Sequence, residues 1–88
     1  MELEKLREEI DQLDEELIDI LNRRDEVVRR IAAAKAAHKR QVLDPKREEA
    51  LYRRVRQISR RKDMDGEYIR NLFQLILQHS RKIQNAII

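Results

Sequence analysis

An arginine stands in this chain where a leucine would be expected. Apolar residues fall at Leu3, Leu6, Ile10, Leu13, Leu17 and Ile20, and again at Val27, Ile31 and Ala34, in alternating steps of three and four. That spacing is the seam of a coiled-coil helix, and Arg24 occupies the position that completes it. A guanidinium buried there without a partner would cost several kcal/mol. It must meet either an acidic side chain or an anionic ligand. The rest of the sequence favours the ligand.

A helix turns about 100° per residue, so spacing shows which residues share a face. Lys35 follows Arg24 by eleven residues, which returns it to within about 20° of the same face and about 16 Å along the axis. Two long cationic side chains so placed can lean toward one site between them. Ser80 and Gln84, at i and i+4, interrupt an apolar stripe of Ile69, Leu72, Phe73, Ile76, Leu77, Ile83 and Ile87. Arg47 and Glu48 open a further stripe that continues through Leu51 and Val55. Singly, each intrusion reads more readily as structural: a seam charge can set register, and a serine can bond back to its own helix. Intrusions on three elements at once would leave a dry core with too many unsatisfied groups. A pocket that takes up a polar anion would satisfy them.

The elements that carry these residues are helices. The chain has 88 residues, with 42% charged, 3% aromatic, one Gly and one Pro. Such a composition predicts an all-α chain of three helices, over about 3–38, 45–62 and 66–86, in a single domain covering 1–88. Asp44-Pro45 marks the start of the second helix, with Asp44 as N-cap and Pro45 in the first turn, and Asp65 caps the third. Residues 39–43 form the first connection and 62–64 the second. The first helix would be roughly 54 Å long, whereas a compact chain of this size has a radius of gyration of roughly 12 Å. Such a helix cannot bury its seam against its own chain, so a homodimer is expected.

Other functions find little support. The absence of cysteine removes disulfides and thiolate metal sites. His38 and His79 lack a second ligand at metal spacing, so no metal is expected. No nucleophile–base pair, Gly-rich phosphate loop or carboxylate dyad is visible. Net charge is +3, with the signs mostly interleaved. The cluster Arg53-Arg54, Arg56 and Arg60-Arg61-Lys62 lacks stacking aromatics and any DNA-binding motif, so no nucleic-acid partner is expected. No apolar run approaches a membrane span and the N-terminus is acidic rather than signal-like, which sets the cytoplasm as the expected compartment, with no membrane partner.

Taken in order, these residues resemble the all-helical chorismate mutases, above all the mutase domain of bifunctional chorismate mutase–prephenate dehydratase proteins and their free-standing relatives. The resemblance covers almost the whole chain. It rests on Leu6-Arg7-Glu8-Glu9-Ile10 followed by Leu13-Asp14, Arg24 with Lys35, Asp44-Pro45-Lys46-Arg47-Glu48, and the run Tyr68 to Ile76 leading to Ser80 and Gln84.

The resemblance implies an intertwined helical homodimer with paired first helices and two equivalent sites. It implies the rearrangement of chorismate to prephenate in phenylalanine and tyrosine biosynthesis, without a cofactor. Residue by residue, Arg7 matches the arginine that reaches into the partner chain's pocket to bind a carboxylate, and Arg24 matches the one on the other carboxylate. Lys35 matches the lysine that contacts a carboxylate and the breaking ether oxygen, and Gln84 the second donor to that oxygen. Glu48 matches the acceptor for the ring hydroxyl, beside Asp44, where the family uses the backbone. Arg47 and Ser80 match further carboxylate-holding residues. Two rivals remain: an isochorismate-pyruvate lyase, which shares this fold and much of this pocket, and a non-enzymatic helical dimerisation module.

Overall fold

In the computed structural model the described residues are 1–38 and 41–88, and they form three helices with no strand among them. Helix α1 spans Glu2–Ala37, α2 spans Pro45–Arg61 and α3 spans Gly66–Ile87. Lys39 and Arg40, which belong to the expected first connection, lie outside the described residues.

Each boundary has a local cause. The Asp44 carboxylate accepts the Arg47 amide at 3.1 Å, and Pro45 follows it in the first turn of α2. The Asp65 carboxylate accepts the amides of Glu67 and Tyr68 at 3.0 and 3.2 Å. Both caps satisfy amides that a helix start leaves without a partner. Helix α2 ends in a six-residue Schellman turn: the Met64 amide bonds the Ser59 carbonyl at 2.9 Å and the Asp63 amide bonds the Arg60 carbonyl at 3.2 Å. The turn places Asp63 at φ 52°, a left-handed conformation usually taken by glycine.

That turn folds α2 back on α3 as an antiparallel hairpin. Leu51, Val55 and Ile58 of α2 are half-buried, and the Arg70 guanidinium lies 5.6 Å from the centre of the Tyr52 ring. Buried Ser59 returns its hydroxyl to the Val55 carbonyl at 2.7 Å. Helix α3 also packs against the C-terminal half of α1, so it is the central element of the chain.

The apolar contact between α1 and α3 uses residues beside the heptad seam rather than the seam's own leucines and isoleucines. Val28 and Ala32 are the buried residues of α1, and Ala32 is fully covered. Each lies one position, or about 100°, round from a seam residue. The small side chain of Ala32 lets α3 approach closely, which a branched seam residue would not. The seam itself remains uncovered within the chain: Leu6 is 48% exposed, Ile10 57%, Leu13 56% and Ile20 52%. Every residue from Met1 to Ile20 is exposed. The N-terminal half of α1 therefore projects from the rest, and the chain measures 57 × 25 × 16 Å with a radius of gyration of 16.2 Å. That radius exceeds the roughly 12 Å of a compact chain this long.

Burial within one chain is sparse. Among the described residues the buried apolar ones are Val28, Ala32 and Leu77, and the buried polar ones are Ser59, Ser80 and Gln84. A core in which polar groups equal apolar ones supplies little hydrophobic stabilisation.

Candidate functional site

Two cations of α1 converge on two polar residues of α3. Arg24 Nη1 donates to Ser80 Oγ at 2.5 Å, and Lys35 Nζ donates to Gln84 Oε1 at 2.9 Å. Their spacing along α1 places Arg24 and Lys35 on one face, and the i,i+4 spacing of Ser80 and Gln84 places both opposite. Ser80 and Gln84 are buried, while Arg24 and Lys35 are half-buried. Ser80 also donates to the Ile76 carbonyl at 2.9 Å, which fixes its hydroxyl toward the arginine. Lys35 Nζ makes a second bond, to the Val42 carbonyl at 2.9 Å, which ties the α1–α2 connection to the same ammonium.

All three acceptors are neutral: a hydroxyl, a carboxamide and a peptide carbonyl. Neither Arg24 nor Lys35 is in an ion pair among the described residues. Asp25, whose charge acts on Arg24, and Glu48, at the start of α2, are engaged elsewhere. Asp25 Oδ2 meets His79 Nε2 at 3.1 Å, and Glu48 meets Arg81 at 2.8 Å. Of the two partners that the sequence left open for Arg24, an acid or a ligand, the chain thus supplies no acid at hydrogen-bonding distance. Burial is the main cause that lowers the pKa of Arg24, and the charge of Arg47 pushes the same way against Asp25. Of the two charge effects on Arg24, that of Asp25 is the larger and opposes the shift, so the positive charge here is that of the cluster's own cations, Arg24 and Lys35. Such a site attracts anions.

Asp44 and Arg47 sit at the start of α2. A cleft of about 840 Å³ opens between the end of α1 and this turn, with Lys35 and Asp44 in its wall and Ile31, Ala34 and Leu43 as its apolar lining. Arg24, Ser80 and Gln84 lie outside that cleft, so hydrogen bonding rather than cavity shape defines the polar cluster. Arg47 is exposed, and its backbone amide is held by Asp44. Glu48 is half-buried and faces α3.

Arg7 is not brought to the cluster. It lies on the projecting half of α1, seventeen residues before Arg24, which is about 25 Å along the helix axis. It lines a shallow groove with Leu3, Leu6, Ile10 and Asp11, on the exposed seam.

Two side chains that spacing alone did not single out take part. Arg81 grips Glu48, and His79 reaches Asp25. The signal for Arg81 lay in its position three residues before Gln84, on the same side of α3, opposite an inward glutamate that needs a cation. Among the described residues no group of His, Cys, Asp and Glu is placed to hold a metal ion, and no helix is long and apolar enough to cross a membrane.

Comparison with known proteins gives a consistent result. Residues 6–85 match the family model described as chorismate mutase type II. The chain is 37% identical over 83 residues to the bifunctional chorismate mutase/prephenate dehydratase of Escherichia coli (strain K12), covering 94% of this chain and 22% of that protein. It is 32% identical over 83 residues to the protein of the same name from Enterobacter agglomerans, of which it covers 21%. It is 24% identical over 82 residues to the chorismate mutase of Methanocaldococcus jannaschii, covering 93% of this chain and 83% of that protein. The chain thus spans about a fifth of the length of the bifunctional relatives.

Proposed function

The chain belongs to the chorismate mutase type II family, and on that premise we propose that it rearranges chorismate to prephenate at a site built round Arg24, Lys35 and Gln84. The observation that carries this reading is the pair of half-buried cations held only by neutral acceptors. Their charge is left for an anion, and chorismate is a dianion.

The reaction is pericyclic: one carbon–oxygen bond breaks as one carbon–carbon bond forms within a single molecule. It requires no nucleophile, no cofactor and no net proton transfer. The chain's task is to hold a flexible enolpyruvyl arm over the ring and to stabilise charge on the departing ether oxygen. Arg24 takes one carboxylate, since a guanidinium stays charged and presents a planar fork of donors. Ser80, already bonded to Arg24, orients that fork. Fixing both carboxylates places the reacting carbons close together, which removes entropy from the barrier in advance.

Lys35 and Gln84 act on the ether oxygen. As the bond lengthens, negative charge builds on that oxygen, and donors already aimed at it stabilise the transition state more than the substrate. One such donor is worth roughly 3–4 kcal/mol, and an acceleration of about a millionfold needs roughly 8 kcal/mol. Two donors together with conformational restriction reach that figure. Glu48 accepts the ring hydroxyl beside the Asp44 backbone, while Arg47 adds positive potential.

The second carboxylate requires Arg7, and the distance along α1 means that the Arg7 in question comes from another copy of the chain. The exposed seam from Leu3 to Ile31 supplies the surface for that copy. Two first helices paired along their seams would bury these leucines and isoleucines and carry each Arg7 toward the other chain's cluster. An intertwined homodimer with two shared sites follows. This assembly also stabilises a chain whose own core is thin.

The direct test is incubation of the purified protein with chorismate, with loss of substrate followed and prephenate identified as product. Lys35→Ala serves as the control and should lose at least about a hundredfold in kcat/KM while keeping its helical content. A folded protein that leaves chorismate untouched, or a Lys35→Ala variant with near-normal turnover, overturns the reading.

A further inference from the structure

The carboxylate at the proposed site is gripped by a residue for which the proposed chemistry has no use. Arg81 Nη1 lies 2.8 Å from both Oε1 and Oε2 of Glu48. The two side chains are 32% and 23% exposed, so the pair is largely withdrawn from water. It joins the first turn of α2 to the last third of α3, one residue beyond Ser80 and three before Gln84.

Two physical consequences follow. A glutamate on the first turn of a helix has three freely rotating side-chain bonds, and a hold on both of its oxygens selects one arrangement. Because a single nitrogen bridges the two oxygens, each keeps a lone pair on its outer side with which to accept a hydroxyl. The second consequence is electrostatic. A bare carboxylate beside a dianionic ligand would repel it, and in a partly buried site such repulsion is weakly screened. Arg81 cancels that charge without filling the acceptor positions.

We propose that Arg81 is a positioning residue for substrate recognition: it fixes Glu48 as a charge-compensated acceptor for the ring hydroxyl and acts through Glu48 rather than by touching the substrate. The proposal rests on the chorismate mutase reading above. A purely structural latch between α2 and α3 is the competing role, and it makes different kinetic demands.

The experiment compares kcat and KM for chorismate in the unmodified protein, Arg81→Ala, Arg81→Lys, Glu48→Gln and the double variant Arg81→Ala/Glu48→Gln, with a thermal melt of each. Arg81→Ala should raise KM about tenfold and lower kcat, and Arg81→Lys should recover part of both. In the Glu48→Gln background, where there is no carboxylate to hold or neutralise, adding Arg81→Ala should change KM by less than about twofold. Arg81→Gln, which keeps a donor and much of the apolar stem without the charge, carries the same comparison where the alanine variant melts below the assay temperature. An unchanged KM with only a lower melting temperature overturns the proposal in favour of a latch. A full tenfold effect that persists beside Glu48→Gln overturns it as well, because Arg81 would then act on the substrate itself. Absence of turnover by the unmodified protein identifies failure of the underlying reading, and is distinct from either result.

Discussion

Lys35 and Gln84, 49 residues apart in sequence, meet at 2.9 Å through the ammonium of one and the carboxamide oxygen of the other. The contact is directional. An ammonium can only donate, so it selects the oxygen of the carboxamide and turns the NH2 group away. The lysine thereby sets Gln84 as a donor toward the space beside it. The same ammonium holds the Val42 carbonyl, so the α1–α2 connection is tied to the group proposed to act on the ether oxygen.

A carboxamide donates at any pH, whereas a carboxylic acid donates only when protonated. The unmodified protein should therefore show kcat/KM that is flat across pH 5–8. In Gln84→Glu the neighbouring Lys35 charge favours the ionised, non-donating form, so activity should be low at neutral pH. It should rise by about tenfold per unit as the pH falls toward the carboxyl pKa. A pH–rate profile of both proteins checks this. An acid-dependent profile in the unmodified protein would remove Gln84 from its role.

The separation of Arg7 from the cluster leads to a complementation experiment. Arg7→Ala and Arg24→Ala should each be nearly inactive. When the two are unfolded and refolded together, hybrid dimers have one site with both defects and one site with neither. Random pairing makes half the dimers hybrids, so about a quarter of the original activity should return. Failure of any activity to return from a mixture of folded dimers would exclude a site shared between chains.

Arg24 separates function from stability. Its guanidinium is partly desolvated and has no acid at ion-pair distance among the described residues, and the Ser80 hydroxyl has its own bond to Ile76 that does not depend on Arg24. Arg24→Leu should therefore raise the melting temperature, by about 2–5 °C at fixed protein concentration, while it abolishes turnover. Calorimetry beside the activity assay reads both. A dimerisation module would gain the stability with nothing lost. Burial lowers the Arg24 pKa from its ordinary value, so this group's contribution to stability rises with pH where the folded chain has released the proton and the unfolded chain still holds it.

The hairpin turn offers a prediction remote from the site. Asp63 adopts φ 52° at the position that glycine usually takes in a Schellman turn. Asp63→Gly should remove the side-chain strain and stabilise the fold by about 0.5–1 kcal/mol, with turnover unchanged. Denaturant titration measures the gain. A loss of stability would mean that the aspartate carboxylate contributes more than its backbone strain costs.

Much of the fold and of the site is legible in the sequence alone. Helical type followed from the near absence of Gly and Pro, and the starts of α2 and α3 from Asp44-Pro45 and Asp65, because capping is a local matter of a few adjacent groups. The faces of Arg24 with Lys35, and of Ser80 with Gln84, followed from the helical period alone. What spacing could not give was which face meets which. The sequence shows one seam on α1, but the apolar contact with α3 falls beside it, on Val28 and Ala32, where a small side chain permits close approach. That choice depends on the shapes of two surfaces brought together, and no single helix contains it. The same holds for Arg81: a cation on α3 acquires its significance only when the fold sets an inward glutamate of α2 at 2.8 Å. Periodicity and caps are written in neighbouring residues, so the sequence determined them alone. Partner choice across the chain, and with it the orientation of each polar group at the site, was decided by tertiary packing.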